Sequence, residues 1–264
     1  MNKIELYCGD CLEIMPSIPN ESIDFILCDL PYGTSVVHKW NKALPLDKLW
    51  KEYERVIKPN GVICLFGTQP FISQLICSKI ELFRYQWLWK KETPTGFLNA
   101  NYKPLNAIEY IAVFSKATVG SLSKNPIPYH PPTLKAIGKK KKNSKNNSWR
   151  EAMGYQSKNN QLNTETEYVQ KFTNYPTTIL EFARVKNQIH PTQKPSELLE
   201  FLIKTYTDEN DIVLDNCMGS GSTGEACTKS NRRFIGIEKE QKYYDLAVKR
   251  LNLLNFQKNV ELKR

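Results

Sequence analysis

Short apolar runs separated by polar turns dominate the first part of the chain. Residues 4–7 and 23–28 are short, mainly apolar runs, broken only by Glu5 and Asp24, the pattern of strands buried on both faces of a parallel sheet. Each is followed by an acid, Asp10 after Gly9 and Asp29 after Cys28, with a short helix or turn expected over 12–18 between them. Leu46, Leu49, Trp50, Tyr53, Val56 and Ile57 fall at helical spacing. Pro59-Asn60-Gly61 stops that helix before a further strand over 62–66. A helix over 71–80 leads to two aromatic-rich runs, 85–89 and 108–114, expected as strands at the edge of the sheet. Alternating strands and helices predict a Rossmann-like, doubly wound, mostly parallel α/β sheet.

The pattern is lost after Ser115. From 116 to 163 Pro, Asn, Ser and Lys prevail, and Lys139, Lys140, Lys141 and Lys142 form an undiluted basic run, as in a mobile or separately folded insertion. Order returns after Tyr175-Pro176. Pro195 opens a helix with the apolar stripe Leu198, Leu199, Leu202, Ile203 and Tyr206. A strand over 212–214, a glycine-rich loop, a helix, a strand over 234–237 and a last helix over 243–254 follow. The expected organisation is one domain in two halves, 1–115 and 190–264, around an inserted region at 116–189.

With 264 residues, 41% of them hydrophobic, the chain can bury one sizeable core and carry an insertion, while two equal domains are not expected. A formal charge of +10 points to a polyanionic partner, a description that nucleic acids and membrane surfaces share. Seven cysteines show no pairing pattern: Cys8 and Cys11 form the one C-x-x-C, and no second pair completes a zinc site. They read as reduced thiols of a cytoplasmic protein without a metal. The N-terminus has no signal-peptide core, and no apolar run approaches the roughly 20 residues that span a bilayer.

Candidate chemistry lies in two loops. Asp215-Asn216-Cys217-Met218-Gly219-Ser220-Gly221-Ser222-Thr223-Gly224 follows a predicted strand and opens a helix, a G-x-G-x-x-G frame in which glycines permit a tight turn and a close ligand. Glu238 ends the next strand, where a carboxylate can accept from the two hydroxyls of a ribose. These features suit NAD, FAD or S-adenosylmethionine alike. The other loop, Asp29-Leu30-Pro31-Tyr32-Gly33, ends an earlier strand. An Asp-x-Pro-Tyr match arises by chance in about one chain in fifty of this length.

Asp29-Leu30-Pro31-Tyr32 resembles the Asp-Pro-Pro-Tyr motif of amino-methyltransferases. His190-Pro191-Thr192-Gln193-Lys194-Pro195, its helix and the glycine loop resemble the C-terminal half of β-class DNA methyltransferases, in which the catalytic motif precedes the cofactor loop. The resemblance implies the class I S-adenosylmethionine-dependent fold with permuted motif order and a target-recognition insertion. It implies methyl transfer from S-adenosylmethionine, leaving S-adenosylhomocysteine, to N6 of a flipped-out adenine in double-stranded DNA, with no metal. An exocyclic amine is a poor nucleophile because its lone pair is delocalised into the ring. Acceptors on its hydrogens, the Asp29 carboxylate and the Leu30 carbonyl, favour a tetrahedral nitrogen, while Tyr32 stacks on a base that cannot be reached inside a duplex. Leu30 stands where the family has its first proline; a main-chain carbonyl is still available there, and Pro31 biases Leu30 to an extended backbone.

Cofactor contacts are implied for Asp10, Cys11, Asp29, Lys194, Ser196, Asp215, Cys217, Gly219, Ser220, Gly221, Ser222, Thr223 and Glu238. Asp10 is placed on the adenine, Lys194 to Ser196 near the methionine carboxylate and Glu238 on the ribose. Lys139 to Lys142 are candidates for DNA phosphates or a solvated run. The resemblance also raises a homodimer, a cognate restriction endonuclease and a bacterial, archaeal or phage origin. His38 and His130 read as loop residues. Competing readings are N4-cytosine methylation, whose motif usually begins with Ser, a nicotinamide-dependent oxidoreductase, which has no role for Asp29 to Tyr32, and a non-catalytic nucleic-acid binder. Protein-glutamine methyltransferases place their Asn-Pro-Pro-Tyr motif after the glycine loop, the opposite order.

Overall fold

The computed structural model describes residues 3–33, 43–120, 123–142, 167–185 and 193–261, with side chains as far as 252. Ten strands and six α-helices are present among them: β1 (Ile4–Cys8), α1 (Cys11–Ile14), β2 (Ile23–Cys28), α2 (Leu46–Val56), β3 (Ile57–Gly67), α3 (Phe71–Ser78), β4 (Phe83–Thr95), β5 (Asn106–Phe114), β6 (Lys135–Lys142), β7 (Glu167–Thr173), β8 (Ile179–Phe182), α4 (Ser196–Tyr206), β9 (Ile212–Asp215), α5 (Ser222–Lys229), β10 (Arg233–Glu238) and α6 (Gln241–Glu261).

Eight strands form one sheet in the order β1-β10-β9-β2-β3-β5-β4-β8. Pairing is parallel from β1 through β3, β5 runs antiparallel to both of its neighbours, and β8 is parallel to β4. The two C-terminal strands β9 and β10 fill the places between β1 and β2, so the two ends of the polypeptide interleave. The doubly wound, mostly parallel expectation holds.

Side chains of β2 point to opposite faces in turn and feed a core on each face of the sheet. Phe25 and Leu27 join Leu198, Leu202, Phe201 and Tyr206 of α4 on one face; Ile26 and Cys28 join Leu49, Tyr53 and Val56 of α2 and Leu75 of α3 on the other. Polar tips of buried aromatics find partners, as burial demands. Trp50 Nε1 donates to Ser78 Oγ (2.8 Å), Trp87 Nε1 donates to the Tyr206 hydroxyl (2.7 Å), and Tyr53 OH donates to Asn216 Oδ1 (2.6 Å).

Several elements differ from expectation. β1 is the sheet's edge and half-exposed, because only β10 covers it. The aromatic runs lie inside the sheet: β5 sits between β3 and β4, and the unforeseen β8 covers β4. Four residues with only Leu180 buried carry too little pattern to announce β8. β3 begins at Ile57 and passes straight through Pro59-Asn60-Gly61, with a register shift in its pairing to β2 between Ile23 and Phe25 that accommodates those residues.

Thr133–Pro176 forms a separate compact unit, narrower than the expected 116–189: Ala117, Ile127 and Leu180 on either side belong to the core of the large unit. Within the small unit the lysine run is a strand rather than a shapeless run. β6 pairs antiparallel with β7, Lys139 opposite Gln170 and Lys142 opposite Glu167. The ladder's main-chain bonds and the partner strand's Tyr168, Val169 and Phe172 offset the repulsion among lysines that are all exposed.

Candidate active site

The site is built where the parallel strands β9 and β2 end side by side. Phe25 pairs with Val213 and Ile26 with Leu214; carried one residue on, that register sets Asp215 level with Leu27. The glycine loop after β9 and the loop 29–33 after β2 therefore leave the sheet together, the crevice in which doubly wound sheets bind ligands. The hydrogen bond from Tyr53 of α2 to Asn216 ties the glycine loop to the helix that follows the other loop. The Cys217 thiol is in hydrogen-bond contact with Cys11 and Cys28, and that contact and burial hold the Cys11 thiol far above its usual range. Burial pushes Cys28 up to about 12. These thiols are protonated packing groups near neutral pH, and Cys8 of the C-x-x-C turns instead to Gln241 Oε1 (3.3 Å).

In the glycine loop Gly219 and Gly221 have φ of 52° and 79°, left-handed values that disfavour any other residue. A Cβ on Gly221 would lie 3.0 Å from Ala247 Cβ of α6, and one on Gly224 2.7 Å from Phe234. These two glycines thus admit neighbouring elements of the protein itself. Asp215 is buried, accepting from Thr223 Oγ1 (2.6 Å) and the Cys217 amide (3.1 Å), and desolvation raises its carboxyl to about 6. Glu238 accepts from the Gly219 amide (2.9 Å) through one oxygen and the Glu240 amide (2.9 Å) through the other, with its pKa raised by burial. Each of its oxygens keeps a lone pair, enough for two ribose hydroxyls. Ser220 and Ser222 face Arg250, whose guanidinium lies 3.5 and 2.9 Å from their hydroxyls.

Asp29 lies in a largely buried charge cluster. Its Oδ1 accepts from Tyr32 OH (2.6 Å) and its Oδ2 from Lys194 Nζ (2.6 Å). Lys194 also meets Glu109 Oε1 (2.7 Å), and the other oxygen of Glu109 meets Lys91 Nζ (2.9 Å). Burial raises the Asp29 carboxyl above its ordinary value, Lys194 opposing and the Glu109 charge adding. For Glu109 burial works upward, but the two lysines outweigh it and hold the carboxyl below the usual range. Lys194 is raised, because the two carboxylates overcome its own desolvation. Its ammonium lies 5.0 Å from the Phe66 ring centre. The Tyr32 ring stacks on Phe71, 4.9 Å between centroids at 28°. Leu30 is buried.

Lys194 sits against the Asp29 motif, and the Ser196 hydroxyl is 3.5 Å from Glu200 Oε1 and 3.3 Å from Lys229 Nζ, at the seam of α4 and α5. Asp10 caps α1 through the Leu12 amide (3.0 Å) and pairs with Lys239 (2.9 Å), which holds its carboxyl below the usual range. His38 and His190 to Thr192 lie outside the described residues. His130 donates its main-chain N–H to Thr205 O (2.7 Å) in a loop. Glu109 and Lys91 were missed, although an acid inside the apolar run of β5 is a visible irregularity. Among the described residues no group of His, Cys, Asp or Glu is arranged to hold a metal ion, and no helix is long and apolar enough to cross a membrane.

Residues 23–249 match a protein-family model described as DNA methylase, a span that contains both loops. The chain belongs to the N6/N4 DNA methylase family. This DNA methylase is 29% identical to the type II methyltransferase M.HinfI of Haemophilus influenzae, over 92% of the chain and 67% of that enzyme. It is 26% identical to the DNA adenine methyltransferase YhdJ of Escherichia coli K12, over 97% of the chain and 85% of YhdJ. Among solved structures, the M1.HpyAVI–SAM complex is 26% identical with a TM-score of 0.60, covering 94% of this methylase and all of that chain. The cytosine-N4-specific PvuII DNA methyltransferase, 16% identical, matches in fold with a TM-score of 0.65 over 94% of the chain and 86% of that enzyme. The doubly wound sheet with β5 reversed is thus the class I methyltransferase fold.

Proposed function

We propose that this DNA methylase transfers a methyl group from S-adenosylmethionine to N6 of an adenine in double-stranded DNA. The observation that carries the reading is the convergence of the Asp29 and Asp215 loops at the β2–β9 seam, a glycine-rich cofactor loop beside an amine-activating one. Relatives named as an adenine methyltransferase and as a SAM complex support the base and the cofactor.

The donor set suits the cofactor. Glu238 has lone pairs to spare for ribose hydroxyls, Asp10 stands beyond the end of β1 next to β10, and Gly219 turns the main chain at the mouth of the crevice. Bound S-adenosylmethionine supplies a sulfonium-activated methyl group. Asp29 and the Leu30 carbonyl accept the two hydrogens of the amine and localise its lone pair for attack. Tyr32, whose ring packs on Phe71, stacks on the extruded base in this reading. Lys139 to Lys142, exposed on β6, supply positive charge to DNA phosphates, and 116–189 contains the target-recognition region. A homodimer and a partner endonuclease belong to the same reading, M.HinfI being a type II methyltransferase.

The decisive experiment supplies labelled S-adenosylmethionine and duplex DNA, then identifies the modified nucleoside by mass spectrometry. N6-methyladenosine in its deoxy form is expected. N4-methyldeoxycytidine would overturn the choice of base, and absence of any transfer would overturn the reading.

A further inference from the structure

Glu109 enters the crevice from β5 and belongs to neither recognised motif. Both of its oxygens are engaged by cations, Oε1 by Lys194 at 2.7 Å and Oε2 by Lys91 at 2.9 Å, and the Glu109, Lys194 and Lys91 side chains are 8%, 9% and 10% exposed. Lys194 in turn reaches Asp29 Oδ2 at 2.6 Å. The charges alternate along this row, Lys91, Glu109, Lys194, Asp29, and cancel.

That neutrality matters because the proposed reaction moves positive charge onto a nitrogen next to Asp29. As the amine takes up the methyl, its lone pair becomes the N–C bond and the C–S pair returns to sulfur. The nitrogen stays cationic until one N–H proton passes to the Asp29 carboxylate and on to water. A bare ammonium at Lys194 would oppose that charge in a poorly solvated pocket, and would take Asp29 for itself. We propose that Glu109 is a positioning residue for the transfer: fixed by Lys91, it shares and offsets the Lys194 ammonium so that Asp29 remains an effective acceptor for the amine. This rests on the proposed function and concerns a residue outside its motifs. The raised Lys194 and lowered Glu109 pKa directions agree with full ionisation of both.

The sign of the leftover charge separates this role from a structural one. Glu109→Gln keeps the shape and leaves a net positive row; Lys91→Met breaks the same contact and leaves a net negative one; the double substitution restores neutrality. Single-turnover methyl transfer to duplex DNA and cofactor dissociation constants would be measured for all three. Glu109→Gln is expected to slow transfer about a hundredfold with the cofactor constant little changed. Lys91→Met and the double variant are each expected to be at least about tenfold faster than Glu109→Gln. A Glu109→Gln rate close to that of the unaltered chain, or a double variant no faster than Glu109→Gln, would overturn the role. If Glu109→Gln does not fold, slowing of more than about tenfold in Lys91→Met alone would overturn it too. Transfer by the unaltered chain separates the two levels: its absence overturns the proposed function and this role with it, whereas its presence without the expected pattern overturns Glu109 alone.

Discussion

Replacing Asp29 by Asn removes one charge and almost no volume. The amide oxygen can still accept from Lys194, now 2.6 Å from Asp29 Oδ2. The amide nitrogen then faces the Tyr32 hydroxyl, which can accept from it and turn its own hydrogen to Glu109 Oε1, 3.4 Å away. The Lys194 ammonium, the Tyr32 hydroxyl and one of the two amide N–H groups keep partners, so the fold is expected to lose the charge assistance of two hydrogen bonds, about 1–3 kcal/mol. The chemistry loses far more, because a neutral amide is a weak acceptor for an amine turning cationic. Removing one preorganised group of this kind slows a reaction by about 10²–10³, or about 3–4 kcal/mol. Single-turnover incorporation of labelled methyl into DNA measures the rate, calorimetric titration the cofactor affinity and a thermal scan the fold. A folded Asp29→Asn protein that transfers within about tenfold of the parent rate would refute Asp29 as the amine acceptor. Loss of cofactor binding in step with the rate would place Asp29 on the cofactor instead.

Asp215 carries a pH signature. Its folded carboxyl titrates at about 6 against 3.8 in the unfolded chain, so the group's stabilising contribution is complete below 3.8 and is lost as the pH rises through 6. Asp215→Asn keeps an acceptor for the Cys217 amide and removes that loss. The variant should gain on the parent by up to about 3 kcal/mol between pH 4 and 7 in denaturant titrations, and a pH-independent difference would disprove the assignment. Glu238→Ala deletes the acceptor at the end of β10 and is expected to weaken cofactor binding about 10–100-fold by calorimetry; an unchanged constant would remove Glu238 from the site. Gly221→Ala combines a left-handed backbone with a Cβ 3.0 Å from Ala247, and should lower stability by about 1–3 kcal/mol. Gly96→Ala, at φ 97° with nothing within 4 Å, should cost less, and equal losses would show that packing against α6 is not what the glycine serves.

The strands β2, β9 and β10, the helices α2, α4 and α5, and the two loops could be read directly from residue order. Buried parallel strands are apolar throughout, helices repeat their apolar positions every three to four residues, and glycine and proline punctuate both. These are local consequences of covalent chemistry, present wherever the segment lies. Asp29, Tyr32, Asp215, Gly219 and Glu238 are legible for the same reason, each standing at the end of a strand or in the loop that follows it. β8 and β7 were not visible, because a short strand with one buried side chain, or a ladder held by main-chain bonds, leaves no period to detect.

What Asp29 touches was a matter for the folded chain alone. Lys194, 165 residues away in sequence, and Glu109 and Lys91, far from both motifs, meet it because β9 inserts beside β2 and β5 beside β3. No local pattern encodes such a meeting: a lysine after a proline-flanked turn looks the same whether its ammonium faces water or a carboxylate. Which elements form, and which residues stand at their ends, follows from residue order. Which charges share one poorly solvated pocket depends on strand order, and strand order is settled by the packing of distant apolar faces.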